Sequence, residues 1–275
     1  MIYSTRRTSR PARAIFAIVL TGVVLLQVTQ TAMADELAER GRAVLEKWKS
    51  SVVTVQMVTA VSMGTGSQKV EDKAEATGTI IDPSGLVVFS LTSSDPTLAL
   101  GKMMGMFGGS GDSGMQAEVT DIKIRLPGGE ELPSEIVLRD RDLDLVFVRL
   151  NEKPSSPLSA VNLADPTSPK ALDEVVVLNR LGNVANWTTS ARLDRIEAVV
   201  EKPRTYYLLG DDLTLGAPVF ALDGKIVGIM LLRTGTTRPS MGAFLEGISG
   251  MGMLPIILPA EDIAEVAQQV GESSE

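Results

Sequence analysis

The 275-residue sequence contains no cysteine and no histidine. Because cysteine is missing, disulfides, thiolate nucleophiles and cysteine-ligated metals are excluded, and an exported form would depend on its apolar core alone. Because histidine is missing, the chain lacks the commonest general base, the usual zinc ligand and the side chain that titrates near neutral pH. Aromatic residues are few, whereas aliphatic residues dominate. The length suffices for one large domain or two small ones.

The N-terminal 34 residues have the pattern of a secretory signal peptide. Arginines at positions 6, 7, 10 and 13 precede an apolar run from 14 to 28, and Ala32-Met33-Ala34 stands before the acidic residue Asp35. A basic region, a short apolar region and a small-x-small site are typical of cleavable export signals. We therefore expect cleavage after Ala34 and a periplasmic or extracellular protein. If the segment stays uncleaved, it would anchor the protein to the membrane in the same compartment.

The charge balance is acidic. The net charge of the whole chain is −8, and loss of the four arginines with the signal segment takes it to −12. We expect neither nucleic acid nor an anionic membrane surface as a partner, because both would be repelled. No phosphate-binding glycine loop occurs, and no cofactor is expected. Asp211 and Asp212 with Asp144 could suggest a metal, but adjacent acids before a strand more often form a solvated turn, so no metal site is predicted.

Short β-prone runs separated by turn residues follow one amphipathic helix at the start of the mature chain. Their number, about twelve, and their spacing predict an all-β fold of two antiparallel six-stranded β-barrels with a C-terminal helix. A stretch that holds four prolines indicates a linker between the halves. The predicted boundaries are 1–34 for the signal peptide, 35–50 for the lead-in helix, 51–153 for the first barrel, 154–170 for the linker, 171–259 for the second barrel and 260–275 for the C-terminal helix and tail.

Residues 101–116 form a glycine- and methionine-rich stretch without a clear period. Such a composition is most simply a surface loop. Methionines on a loop can also offer an adaptable apolar surface to a partner. Both interpretations stay open.

Three short motifs occur in a fixed order along the mature chain. They are Gly78-x-Ile80-Ile81-Asp82-x-x-Gly85, then Asp144-Leu145, and finally Gly216-Ala217-Pro218-Val219 with the hairpin turn Asp223-Gly224 and Gly228-Ile229. Together they resemble the trypsin-like serine proteases, and most of all their HtrA/DegP branch. The resemblance covers roughly residues 51–270. It implies the double β-barrel that the strand spacing also predicts.

The resemblance assigns the three positions of the catalytic triad. The histidine falls on Thr92, the aspartate on Asp144 and the serine on Leu215. Leucine has no lone pair with which to attack a carbonyl, and a threonine hydroxyl does not accept a proton as imidazole does. The resemblance therefore implies a degenerate triad, in which Asp144 would be a strand-edge acid bonded to backbone amides and Thr92 would cap a strand end.

Two further features follow from the resemblance. The backbone amides of the oxyanion hole would belong to Leu213 and Leu215, where the bulky Leu213 replaces a glycine and restricts the backbone. The strand that pairs with a peptide substrate would be Leu231, Leu232 and Arg233, which could accept a peptide by β-augmentation. Alternatively, the Leu215 side chain would fill the cleft and close it.

Two functions remain open. The first is an exported pseudoprotease that binds a protein or peptide, or serves as a structural subunit, without hydrolysing it. The second is an active hydrolase or serine endopeptidase-like enzyme with relocated catalytic groups. The sequence offers no residue set for the second.

Overall fold

The computed structural model describes residues 35–63, 70–95, 97, 115–210, 213–234 and 252–272. The predicted signal peptide, residues 101–114 of the methionine-rich stretch, Asp211, Asp212 and the tail from residue 273 lie outside the described residues. The chain divides into two units, Met1–Arg40 and Gly41–Glu275. Helix α1 runs from 35 to 48. Within the described ranges, no helix is both long and apolar enough to cross a membrane.

The first half is a closed six-stranded antiparallel barrel, as the sequence predicts. Around the barrel the strands follow the order β1-β2-β3-β6-β5-β4. A short helix, α2 (Leu91–Ser94), continues β3. The strands are β1 (Val52–Met63), β2 (Val70–Asp82), β3 (Leu86–Ser90), β4 (Met115–Arg125), β5 (Glu131–Asp140) and β6 (Leu145–Leu150).

Alternation along β1 decides what faces the barrel interior. Val53 and Val55 are fully buried inside, where they pack with Phe89 and Ile124. Val52 points the other way, into a second apolar cluster shared with the second half of the molecule. This follows from the two-residue period of a strand, which sends successive side chains to opposite faces. The outer face of β1 therefore forms part of the boundary between the halves.

The second half is a curled sheet whose strands follow the order β8-β7-β11-β12-β13-β10-β9. A further helix, α3 (Ala260–Glu272), completes the chain and confirms the predicted C-terminal helix. The strands are β7 (Glu174–Arg180), β8 (Thr189–Arg195), β9 (Ala198–Val200), β10 (Tyr206–Leu208), β11 (Pro218–Ala221), β12 (Ile226–Thr234) and β13 (Met253–Pro259).

This sheet has seven strands in the described residues, whereas a six-stranded barrel was expected. The difference arises because the chain bends at Ile196 and Glu197, which divides the stretch from 189 to 200 into two strands, β8 and β9. The bend is fixed by two hydrogen bonds, from Ile196 N–H to the Asp173 carbonyl (3.0 Å) and from Glu197 N–H to the Leu208 carbonyl (2.8 Å). β8 and β9 lie at opposite edges of the sheet, so these two linking residues join the edges and curl the sheet.

The segment between the halves contains no helix or strand from residue 151 to 173, but it is packed against the first barrel. Val161 is buried, and its N–H donates to the Ile80 carbonyl at 2.8 Å. Leu158 N–H donates to the Pro83 carbonyl at 3.0 Å. These contacts tie the connecting chain to the β2–β3 hairpin.

Candidate functional site

The β11–β12 hairpin forms as the sequence predicts, with its turn at Asp223 and Gly224. Gly224 adopts a positive φ of 80°, and Ala221 N–H donates to the Lys225 carbonyl at 2.9 Å. A positive φ is favourable for glycine and unfavourable for most other residues. The hairpin carries Gly216 and Leu215 at the beginning of β11 and places them at the boundary between the two halves.

Gly216 is locked into that boundary. Its N–H donates to the Met230 carbonyl at 2.7 Å, and its carbonyl accepts a hydrogen bond from Thr79 Oγ1 at 3.1 Å. Its φ is +83°, and a Cβ at this position would lie 2.0 Å from the Thr77 carbonyl oxygen. Glycine is therefore required here for both conformation and space. The Thr79 contact joins the second half directly to β2 of the first barrel.

The backbone before Gly216 turns back on itself. Leu215 N–H donates to the Leu213 carbonyl at 2.8 Å, so this amide is engaged by the chain two residues earlier. Ala217 N–H donates to the Thr214 carbonyl at 3.2 Å, which tightens the same turn. The Leu213 side chain is 48% exposed. The amide predicted to form half of an oxyanion hole is thus not presented to a ligand in this conformation.

Asp144 lies immediately before β6 and is buried, with 6% of its surface exposed. Its backbone is left-handed, with φ of 61°, and its carbonyl accepts a hydrogen bond from Leu91 N–H at 2.9 Å. Aspartate tolerates this conformation better than most residues. The conformation turns the carboxylate towards the end of β3 and the middle of β12.

The Asp144 carboxylate accepts four hydrogen bonds. One oxygen accepts from Thr92 N–H and Thr92 Oγ1, both at 2.7 Å. The other oxygen accepts from Ser90 Oγ at 2.6 Å and from Leu232 N–H at 2.9 Å. Burial raises the pKa of Asp144 above its ordinary value, and these hydrogen bonds lower it in part. The carboxylate therefore connects β3, α2 and β12, which belong to both halves of the molecule.

Thr92 lies in α2 and is drawn to Asp144 by both its amide and its hydroxyl. The sequence predicted that Thr92 would cap a strand end and that Asp144 would bond to backbone amides. Two of the four donors are backbone amides, and the hydroxyls of Ser90 and Thr92 are the other two. Ser93, the next residue, lines a cavity together with Leu215. The three predicted triad positions thus lie around one region, with Thr92 and Asp144 in direct contact.

The predicted peptide-pairing strand lies in β12, which pairs with β13 from Gly228 to Thr234. On its other side, β11 pairs only as far as Ile229, and Met230 bonds to the turn before it. Backbone groups alternate in direction along a strand, so Leu231 and Arg233 direct theirs to β13. Leu232 faces the other side, but Asp144 already accepts its N–H. On the side of β12 that faces away from β13, the Leu232 carbonyl is therefore the backbone group of these three residues that has no described partner.

The cavity next to Leu215 has a volume of about 260 Å³. It lies between the outer face of the first barrel, the end of β7 and the turn before β11. Its polar lining includes Thr54 and Thr77 on the barrel and Arg180 on β7. None of the three was predictable from the sequence motifs, because these residues lie far apart in the chain and belong to no motif. A polar Thr54 between the apolar residues of β1 was the one available signal.

Comparison with known proteins identifies the family of the fold. The sequence matches the family described as trypsin-like peptidase domain over residues 76–229, which is more than half of the chain. The chain belongs to this family. A comparison with curated proteins finds no significant match.

Two solved structures share the fold of this trypsin-like domain. The HtrA-type protease AlgW with a decapeptide is 12% identical, with a TM-score of 0.57, and the match covers 86% of this chain and 68% of that one. The same protease with a tripeptide is also 12% identical, with a TM-score of 0.52, and the match covers 84% and 63%. The chain thus spans about two thirds of their length. At this identity the likeness establishes the fold alone.

Proposed function

We propose that this trypsin-like domain does not hydrolyse peptide bonds and instead binds a protein or peptide at the boundary between its two halves. One observation carries the first part of the proposal: the Leu215 amide is turned inward onto the Leu213 carbonyl at 2.8 Å. Stabilisation of an oxyanion requires amides that point to where the charge develops, and it is usually the largest contribution to acyl transfer.

The chemistry of the side chains supports the same conclusion. Leu215 cannot act as a nucleophile, and no histidine exists anywhere in the chain to act as a base. Asp144 has no imidazole to orient, and its carboxylate is occupied by two hydroxyls and two amides. A group with four donors already in place has little capacity left for a further partner. These hydrogen bonds hold β3, α2 and β12 together.

The binding part of the proposal rests on the cavity and on the fold. The cavity between the halves is lined by polar side chains and by leucines. The two solved structures of similar fold hold a decapeptide and a tripeptide. A peptide is therefore the ligand class that we propose, in the exported compartment that the N-terminal sequence predicts.

The test of hydrolysis uses the purified protein with denatured casein and with a fluorophosphonate probe. We expect neither turnover nor labelling over a day, with active trypsin as the positive control. Turnover that co-purifies with the protein and disappears on a single substitution in its cleft would reject the proposal. That result would favour an enzyme with relocated catalytic groups.

A further inference from the structure

The cavity beside Leu215 contains a cation that lacks an acidic partner. Arg180 is half-buried and lines the cavity. Its guanidinium donates to the main-chain carbonyls of Val52, Lys49 and Trp187, the last at 2.8 Å, and to no carboxylate among the described residues. Carbonyl oxygens accept hydrogen bonds from its N–H groups, so no carboxylate forms an ion pair with it in the described part of the chain. Burial lowers the pKa of Arg180 from its ordinary value, which reflects the same loss of solvent around the cation.

A buried hydroxyl without a partner lines the same cavity. Thr54 is 3% exposed, and its Oγ1 has no hydrogen-bond partner in the described part of the chain. Thr54 is one of the residues that line the cavity. Leaving a buried hydroxyl unsatisfied costs about 1–3 kcal/mol. Beside it in the β1–β2 register, Thr77 is satisfied, since its hydroxyl donates to Asn179 Oδ1 at 2.5 Å.

Three leucines give the cavity an apolar part. Leu181, Leu213 and Leu215 line it, and Leu213 and Leu181 are 48% and 37% exposed. Exposed leucines around a polar floor suit a ligand that carries an apolar group next to a charged one. The volume is below the roughly 300 Å³ of pockets for drug-sized ligands, which limits the bound part to about one or two amino-acid residues.

The charges in the lining select a monoanion. Glu75 also lines the cavity, and its carboxylate accepts Trp187 Nε1 at 3.1 and 3.2 Å and Gln56 Nε2 at 3.2 Å. One arginine and one glutamate line the cavity, and loss of the signal segment takes the net charge of the chain to −12, so a dianion such as phosphate is disfavoured more than a monoanion. A carboxylate attached to an apolar side chain matches both the arginine and the leucines of the lining.

We infer that this cavity binds the C-terminal residue of a peptide, with the terminal carboxylate at Arg180 and Thr54 and the last side chain against Leu213 and Leu215. This inference rests on the proposed peptide-binding function and specifies which part of the peptide is recognised. It makes the C-terminal carboxylate the main determinant of affinity. Thr54 then gains the hydrogen-bond partner that it otherwise lacks.

The experiment compares N-acetyl-Ala-Leu as the free acid with its C-terminal amide, titrated into the isotope-labelled protein and followed by NMR. We expect shifts at Thr54, Arg180 and Leu213, and about tenfold weaker binding of the amide, since charge-assisted hydrogen bonds to the acid are lost. Thr54→Val should weaken binding of the acid about fivefold. Arg180→Gln should abolish the preference for the acid, with circular dichroism as the check on its folding.

Thr59→Val is the matched control. Thr59 lies on the same strand, is 2% exposed and also has an Oγ1 without a partner in the described residues, but it does not line the cavity. Neither substitution should destabilise the protein, because each removes an unsatisfied buried hydroxyl. An equal loss of binding in both variants would overturn the inference, because the effect would then not arise at the cavity.

The remaining outcomes separate this inference from the proposed function. Equal affinity for acid and amide would reject carboxylate recognition and leave peptide binding intact. Tighter binding of inorganic phosphate than of the acid would replace the peptide terminus with a phosphate ligand. If no probe shifts any resonance at concentrations up to about 10 mM, the site is rejected. A dissociation constant above that value is too weak for specific recognition. Casein hydrolysis would reject the proposed function independently of all three.

Discussion

Asp144 and Leu215, which the resemblance assigns to the acid and the nucleophile of a triad, have opposite surroundings. Asp144 is buried and accepts four hydrogen bonds from three elements. Leu215 lies in a turn whose backbone bonds to itself, next to the half-exposed Leu213. Asp144 therefore has a structural role that does not depend on catalysis. The contacts described for Leu215 are those of its backbone and give its side chain no such role. We expect the fold to depend on the first position and to tolerate change at the second.

The largest expected effect is at Asp144. Asp144→Ala leaves two amides and two hydroxyls without their acceptor, so we expect a loss of about 3–5 kcal/mol in the free energy of unfolding. Asp165→Ala is the control, because that exposed acid bonds only to Lys225 among the described residues, at 2.7 Å. An exposed ion pair contributes about 1 kcal/mol or less. Urea denaturation of both variants checks this, and equal losses would contradict the structural role of Asp144.

The next effect separates Gly216 from Gly224, a second glycine with a positive φ. Gly216→Ala places a Cβ 2.0 Å from the Thr77 carbonyl at a positive φ, and we expect about 2–4 kcal/mol of destabilisation. Gly224→Ala has almost the same φ, +80°, but the new Cβ would meet the flexible Lys47 side chain at 3.4 Å. Its cost should be about 1–2 kcal/mol, the strain of the left-handed backbone alone. Thermal unfolding distinguishes them, and similar melting temperatures would argue against the tight contact at Gly216.

The pH dependence of stability provides a second test of Asp144. Because burial raises the pKa of Asp144, the folded state holds this proton more tightly than the unfolded chain does. The contribution of Asp144 to stability is therefore greatest below its unfolded pKa of about 3.9 and falls as the pH rises through the higher folded pKa. Relative to Asp144→Asn, which does not titrate, the wild type should lose stability as the pH rises above about 4. Denaturation curves across this range check the sign, and a growing advantage of the wild type would contradict it.

The smallest effect is expected at Leu215 itself. Leu215→Ser should change the free energy of unfolding by about 1 kcal/mol or less, since the side chain is half-exposed. It should also give no hydrolysis, because the Leu215 amide points to Leu213 and no base is present. Leu231→Ser, at a position with 0% exposure, should by contrast lose about 3–5 kcal/mol. Labelling of Leu215→Ser by a fluorophosphonate would show that the site activates a serine after all.

Much of the fold was predictable from local patterns. The β11–β12 hairpin follows from Asp223-Gly224 between two apolar runs, and the barrel strands follow from their two-residue period. The bend at Ile196 was not predictable, because its cause is hydrogen bonding to Asp173 and Leu208, which are distant in sequence. The residues of a β-prone run do not indicate the position at which the chain leaves one edge of a sheet and joins the other.

The site was predictable in part. The motifs identified Thr92 and Asp144, and the structure brings them into contact. The sequence did not indicate Arg180 or Thr54 as site residues. Arg180 lies on β7 and Thr54 on β1, and only the folded structure brings them to one cavity. Leu232 was expected to offer its amide to a peptide, but that amide is bonded to Asp144, 88 residues away in sequence.

Composition and local order alone determined that this chain has no imidazole and no thiol, and that its strands alternate with the two-residue period of a trypsin-like frame. Tertiary structure decided which polar groups are satisfied and which are left over. Those outcomes depend on pairs such as Thr79 with Gly216 and Asp144 with Leu232, whose members lie far apart in the chain. Hydrogen-bond satisfaction is a property of the assembled neighbourhood, so it emerges only when the two halves are packed together.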